Sequence, residues 1–218
     1  MPRKTRASLK AELQDQSKAS PSPPVSTASP PGSIPILTFK DESGWEDWLR
    51  LHCGEQTGVW LQISKKNSGI PTVSYDEALD VALCYGWIDG QRKTHDEQYF
   101  IQRFTPRRKN SLWSKRNVGK VAALIEQKRM TPPGQAEIDA AKADGRWDRA
   151  YSSASTMEVP LDFQQALAGN PKASKFFEAL NKTQRYAFLW RIETTKRPET
   201  RKRKIGEYVD LLAQHKPL

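Results

Sequence analysis

Cysteine and histidine are scarce in this 218-residue sequence, with two of the first and three of the second. Cys53 and Cys84 fall in no CxxC or zinc spacing, which excludes a disulfide scaffold and a structural metal site. They read as reduced, buried thiols of an intracellular protein. Long apolar runs are also missing. Val81-Ala82-Leu83-Cys84-Tyr85 is typical, far short of the roughly 20 residues that span a membrane. No apolar segment follows the basic start, which excludes a secretory signal. HExxH, GxSxG, a Walker loop and GxGxxG are all lacking, so the common metalloprotease, serine-hydrolase and nucleotide-binding templates fail.

Aromatic side chains are absent from the first 38 residues, and twelve of the nineteen residues from 17 to 35 are Ser or Pro. Such a composition buries too little apolar surface to offset the entropy of ordering, so 1–35 is expected to be a disordered, basic tail. The basic stretch 2–6 is a candidate nuclear signal, with solvation of the tail as the commoner role of such charge. The formal net charge is +10; the first 40 residues hold a surplus of four cations and the rest a surplus of six. That balance allows phosphates, anionic lipids or acidic proteins as partners without choosing among them.

The remainder has seven Trp, seven Phe and six Tyr, enough for a packed core. Ser43 and Glu46 have capping-box spacing before a helix over 44–53, and Ser74 with Glu77 repeats the signal before a helix that stops at Gly86. Residues 58–63 read as a strand. Residues 87–93 and 98–105 read as a hairpin around a polar turn. Helices follow over 114–128 and from Pro132 to near Gly145. From Val159 onward the pattern is wholly helical, with starts at Pro160, Pro171, Asn181 and Pro198. The expected architecture is α+β: a small antiparallel sheet with helices over 36–152, then an all-α module over 158–215.

Three stretches carry candidate chemistry. In Gly86-Trp87-Ile88-Asp89-Gly90, strand alternation puts Trp87 and Asp89 on one face, and a carboxylate beside an indole is a candidate desolvated acid. The structural alternative makes Trp87 core and pairs Asp89 with Arg92, Arg103, Arg107 or Arg108. Residues 105–117 hold five cations and no acid, with Trp113 among them. Guanidinium forks, hydroxyls and the free N–H groups of a helix starting at Ser114 suit a phosphate or carboxylate, drawing in Arg103, Arg107, Arg108, Trp113, Ser114 and Asn117. The third is the cluster Lys196, Arg197, Arg201, Lys202, Arg203 and Lys204. Its cations crowd a helix start that disfavours them, so Glu178, Glu193 or an external polyanion should offset them. His52 reads as half-buried and structural, His95 as exposed. Cys84 has no histidine nearby to make it a nucleophile.

Together these stretches resemble the bacteriocin-protection, YdeI/OmpD-associated family. The matching residues are ALCYGWIDG (82–90), the run 105–117, Met130-Thr131-Pro132-Pro133-Gly134, Gly145-Arg146-Trp147, Tyr151, Val159-Pro160, and Lys196 through Thr200-Arg201 to Ile205. They span about 40–215; Thr195 and Lys128 depart from the pattern. The resemblance implies the family's helical domain over 159–215 and, before it, an α+β fold like that of YjbR and CyaY. It also implies a role in protection from bacteriocins or antimicrobial peptides or in association with a porin, with no cofactor and no assigned reaction.

The reading that follows is a soluble, cytoplasmic, non-enzymatic binding protein with a stress- or resistance-type role, the nucleus being the alternative compartment. It takes an anionic small molecule or acidic protein surface at the second stretch, with Trp87 and Asp89 shaping the pocket. The alternatives are nucleic-acid binding through 103–116 and 196–204, and an enzyme using Asp89 as acid/base. No catalytic residue, metal, cofactor or membrane insertion is expected.

Overall fold

The computed structural model describes residues 25–26 and 33–218. Apart from 25–26 and 33–35, the expected tail lies outside the described residues. Val25 and Ser26 form a two-residue strand, β1 (Val25–Ser26), antiparallel to β2 (Ile36–Thr38). The chain continues through α1 (Glu42–His52), β3 (Val59–Ser64), α2 (Tyr75–Cys84), β4 (Trp87–Thr94), β5 (Tyr99–Pro106), α3 (Lys115–Glu126) and α4 (Pro132–Ala143). Four helices complete it: α5 (Leu161–Ala168), α6 (Pro171–Ala179), α7 (Lys182–Glu193) and α8 (Pro198–Ala213).

The fold is α+β, and the sheet runs in the order β1-β2-β3-β5-β4. It is mixed rather than wholly antiparallel. β2 pairs in parallel with β3, Ile36 opposite Trp60 and Thr38 opposite Gln62, because α1 supplies the crossover that a parallel pair requires. Along β3, Val59, Leu61 and Ile63 are buried against the helices, while Trp60, Gln62 and Ser64 face away. β4 and β5 form the expected hairpin, with the register shifting between Asp89 and Arg92.

Three indoles organise the first core. Trp45 and Trp87 are fully buried and each N–H finds a carbonyl, that of Ala78 at 3.0 Å and of Cys53 at 2.8 Å. Trp48 stacks on Trp45 and meets Trp87 edge-on. Helix α1 starts earlier than its capping-box spacing suggests. Asp41, not Ser43, is the cap: its backbone is extended and its carboxylate accepts the Gly44 N–H at 3.0 Å, a charged acceptor facing the positive end of the dipole. The second capping box forms as expected, Ser74 and Glu77 each accepting the other's backbone N–H.

Two of the motif glycines serve the same junction. Gly86 reverses the chain out of α2 at φ +75°, and Gly134 lets the first turn of α4 lie against the end of α2. A side chain at Gly134 would stand 2.2 Å from the Cys84 carbonyl oxygen.

Helices α5–α8 enclose a second core around Phe163, Phe177, Phe188, Ile192, Tyr208 and Leu212. Its rings meet edge-on, Phe163 with Phe177 at 5.4 Å and Phe188 with Tyr208 at 5.3 Å. The two cores are joined at 151–152. Glu193 on α7 accepts both the N–H and the hydroxyl of Ser152, the Tyr186 hydroxyl donates to the Ser152 carbonyl, and Tyr151 meets Trp190 edge-on. Among the described residues no helix is long and apolar enough to cross a membrane, and no group of three metal-ligating side chains gathers.

Candidate functional site

A cleft of about 290 Å³ opens at the edge of the sheet where β4 meets the N-terminal ends of α2 and α3. Asp89 and Gly90 come from β4, Tyr75 from the first position of α2, and Ser114, Arg116 and Asn117 from the start of α3. Ile88, Leu112 and Tyr151 complete the walls. Tyr151 reaches this place because its N–H donates to the Trp113 carbonyl and its carbonyl accepts the Lys115 N–H, a bridge that seats it beside Ser114.

The Tyr75 hydroxyl donates to Asp89 Oδ2 at 2.7 Å. Burial, then the hydrogen bond to Asp89, push the Tyr75 hydroxyl up to about 12, with Arg116 opposing. Burial, then the charge of Asp89, also raises the Tyr151 hydroxyl, with Arg107 opposing. Arg116 is held by Asp76 at 2.6 Å and stands 5.5 Å from the Tyr75 ring centre. Ser114 caps α3 by accepting the Asn117 N–H at 3.2 Å, leaving its own hydroxyl proton free to donate. Asn117 is only 6% exposed and lines the cleft, yet its side-chain amide makes no hydrogen bond among the described residues. That amide is not among the fully buried unpaired atoms, so it is open to the cleft and free to meet a ligand or solvent there.

Of the residues singled out in the sequence, the structure brings Asp89, Ser114 and Asn117 together and sends the others elsewhere. Trp87 shares a face with Asp89 but belongs to the core, its N–H already given to Cys53. Trp113 is 1% exposed and packs on Trp147 at 5.0 Å. Arg107 is buried with its guanidinium 3.5 Å above the Trp113 ring, one nitrogen donating to the Leu112 carbonyl at 3.2 Å. Burial pulls Arg107 down to about 10, and its Nε and Nη2 have no partner. Arg103 lies on the opposite sheet face, opposite Trp60 in register, and donates to the Thr57 carbonyl. Arg108 is exposed at the turn that Ser111 closes. None of the four candidate arginines forms an ion pair with Asp89 among the described residues; its side-chain partner there is the Tyr75 hydroxyl, on Oδ2.

The C-terminal cations also differ from expectation. Arg201 pairs with Asp162, Arg203 with Glu207, and Lys204 donates to Thr195. Neither Glu178 nor Glu193 offsets them: Glu178 accepts from Ser174, and Glu193 is committed to Ser152. His52 is half-buried and stacked on Trp48, as expected, while burial pushes the Cys84 thiol up to about 11, away from nucleophilic use.

Sequence reasoning leaves Tyr75, Arg116 and Tyr151 out of the site. Position is the signal for the first two, each falling in the first turn of a capped helix, Arg116 next to Asn117. For Tyr151 there is only its place in the family pattern. Arg146, 3% exposed, also escapes it; this residue holds Asp144 at 2.6 Å and the Ser111 carbonyl at 2.9 Å, fastening the basic loop to the end of α4.

Geometry thus defines a two-core α+β protein with a polar cleft at a sheet edge and a helical module behind it. Residues 156–215 match the model of the family described as bacteriocin-protection, YdeI or OmpD-associated, so the chain carries a domain of that family. Residues 37–137 match a model described as a domain of unknown function (DUF8412). No curated protein and no solved structure matches the chain.

Proposed function

We propose that this chain is an intracellular binding protein of the stress- or antimicrobial-resistance type, holding a small polar ligand in the cleft beside β4. The two cores belong to separately folding units, 36–152 and 158–215, and the ligand site is in the first. The observation that carries this reading is convergence: Tyr75, Asp89, Ser114, Arg116 and Asn117, from three separate elements, line one cleft. A ligand offering both a donor and an acceptor would pair with the Asn117 amide that faces the cleft. Asp89 Oδ1 accepts from a donor on the ligand, while Arg116 and the Ser114 hydroxyl face an anionic or acceptor group. The cleft, at about 290 Å³, lies at the small end of ligand sites.

Two competing readings have less support. Nucleic-acid binding through the basic loop loses its stacking platform, since Trp113 is buried under Arg107. Acid/base catalysis by Asp89 must work around a carboxylate oxygen already taken by Tyr75.

A thermal-shift screen of phosphate-bearing compounds, amino acids and sugars tests the proposal. At 100 times its Kd, a ligand adds about 2.7 kcal/mol, or roughly 5–10 °C for a chain of this size. Asn117→Leu should abolish the shift. A hit that binds Asn117→Leu as well as the parent refutes the site.

A further inference from the structure

The surface between α5 and α8 carries more cations than acids at the start of α8, where Glu199 is the acid of the first turn. Arg197 and Lys202 form no ion pair among the described residues, although they sit at the N-terminal end of α8 where the macrodipole disfavours cations; Lys196 instead lies close enough to Asp144 to help lower its carboxyl. The nearest acid on α5, Asp162, is taken by Arg201 through two hydrogen bonds of 2.6 and 2.9 Å. Beside these cations runs a groove of about 470 Å³ floored by Ala166, Pro198 and Ile205, with Lys202 on its rim.

We propose that this groove docks an acidic, amphipathic segment of a partner protein, with apolar side chains against Ala166 and Ile205 and carboxylates against Arg197 and Lys202. Charge complementarity sets the sign of the partner. The apolar floor sets its class: a polynucleotide would lay phosphates over it, and no aromatic side chain lines it to stack a base. A segment with one apolar and one acidic face satisfies both features at once, as in helix-in-groove recognition. The groove is built from the helical module alone and stands independently of the Asn117 cleft.

The test is fluorescence anisotropy on the full chain with a labelled peptide of Glu and Leu at helical spacing, its Gln-for-Glu counterpart, and labelled oligothymidylate. The acidic peptide is expected to bind and the Gln counterpart to bind about tenfold more weakly or less. Ala166→Glu, which blocks the floor, and Arg197→Glu with Lys202→Glu, which reverses the rim, should each weaken the acidic peptide by about tenfold. Asn117→Leu should leave it unchanged. The proposal is overturned if peptide binding survives both groove variants, if charge on the peptide makes no difference, or if oligothymidylate binds and the peptide does not.

Discussion

Replacing Arg107 separates a residue kept for packing from one kept for its charge. Burial that pulls the guanidinium down from its ordinary range to about 10 corresponds to roughly 3 kcal/mol against the charged form. On the other side stands the stack on Trp113, worth up to about 2 kcal/mol when desolvated. To this is added one charged hydrogen bond to the Leu112 carbonyl, about 1.5–3 kcal/mol. The two sides nearly cancel. Arg107→Met keeps the volume over the indole and drops both, so urea unfolding followed by tryptophan fluorescence should place it within about 1.5 kcal/mol of the parent. Arg107→Ala leaves a void beside Trp113 and should cost about 2–5 kcal/mol. Ligand shifts found for the cleft should persist in Arg107→Met. A Met variant as unstable as the Ala variant would refute the reasoning, since the charge itself would then be stabilising.

Gly134→Ala sets propensity against space. Alanine favours a helix by about 1 kcal/mol over glycine, but its Cβ would meet the Cys84 carbonyl oxygen at 2.2 Å and the Met130 sulfur at 2.6 Å, so thermal unfolding should show a net loss of about 1–3 kcal/mol. Tyr75→Phe removes the donor to Asp89 and should cost about 1 kcal/mol at neutral pH. It should also change the alkaline limb. The folded hydroxyl titrates at about 12 against an ordinary 10, so the folded state holds its proton longer; that stability is complete below pH 10 and lost as pH rises towards 12. Denaturant titrations from pH 9 to 12 should therefore fall less steeply for the Phe variant.

Signals confined to neighbouring residues are legible in the sequence. Ser74 with Glu77, the stop at Gly86, the 87–105 hairpin and the Pro- and Asn-led starts of α6–α8 each depend on side chains within a turn of the backbone they satisfy. β2 is not legible, because three residues carry no period and their pairing with β3 is non-local. In the site, Asp89 stands out by its setting, but its partner does not: Tyr75 arrives from another element, and an arginine is the more obvious counterpart. Arg107 misleads for a physical reason. Among five cations it reads as solvated or phosphate-facing, and nothing local shows that an indole six residues later will cover its plane.

Tyr151 and Ser152 are adjacent in the chain, yet one walls the cleft while the other is gripped by Glu193 and Tyr186 of α7. A single peptide unit therefore ties the wall of the cleft to α7, so a tilt of that helix would be felt at the phenol.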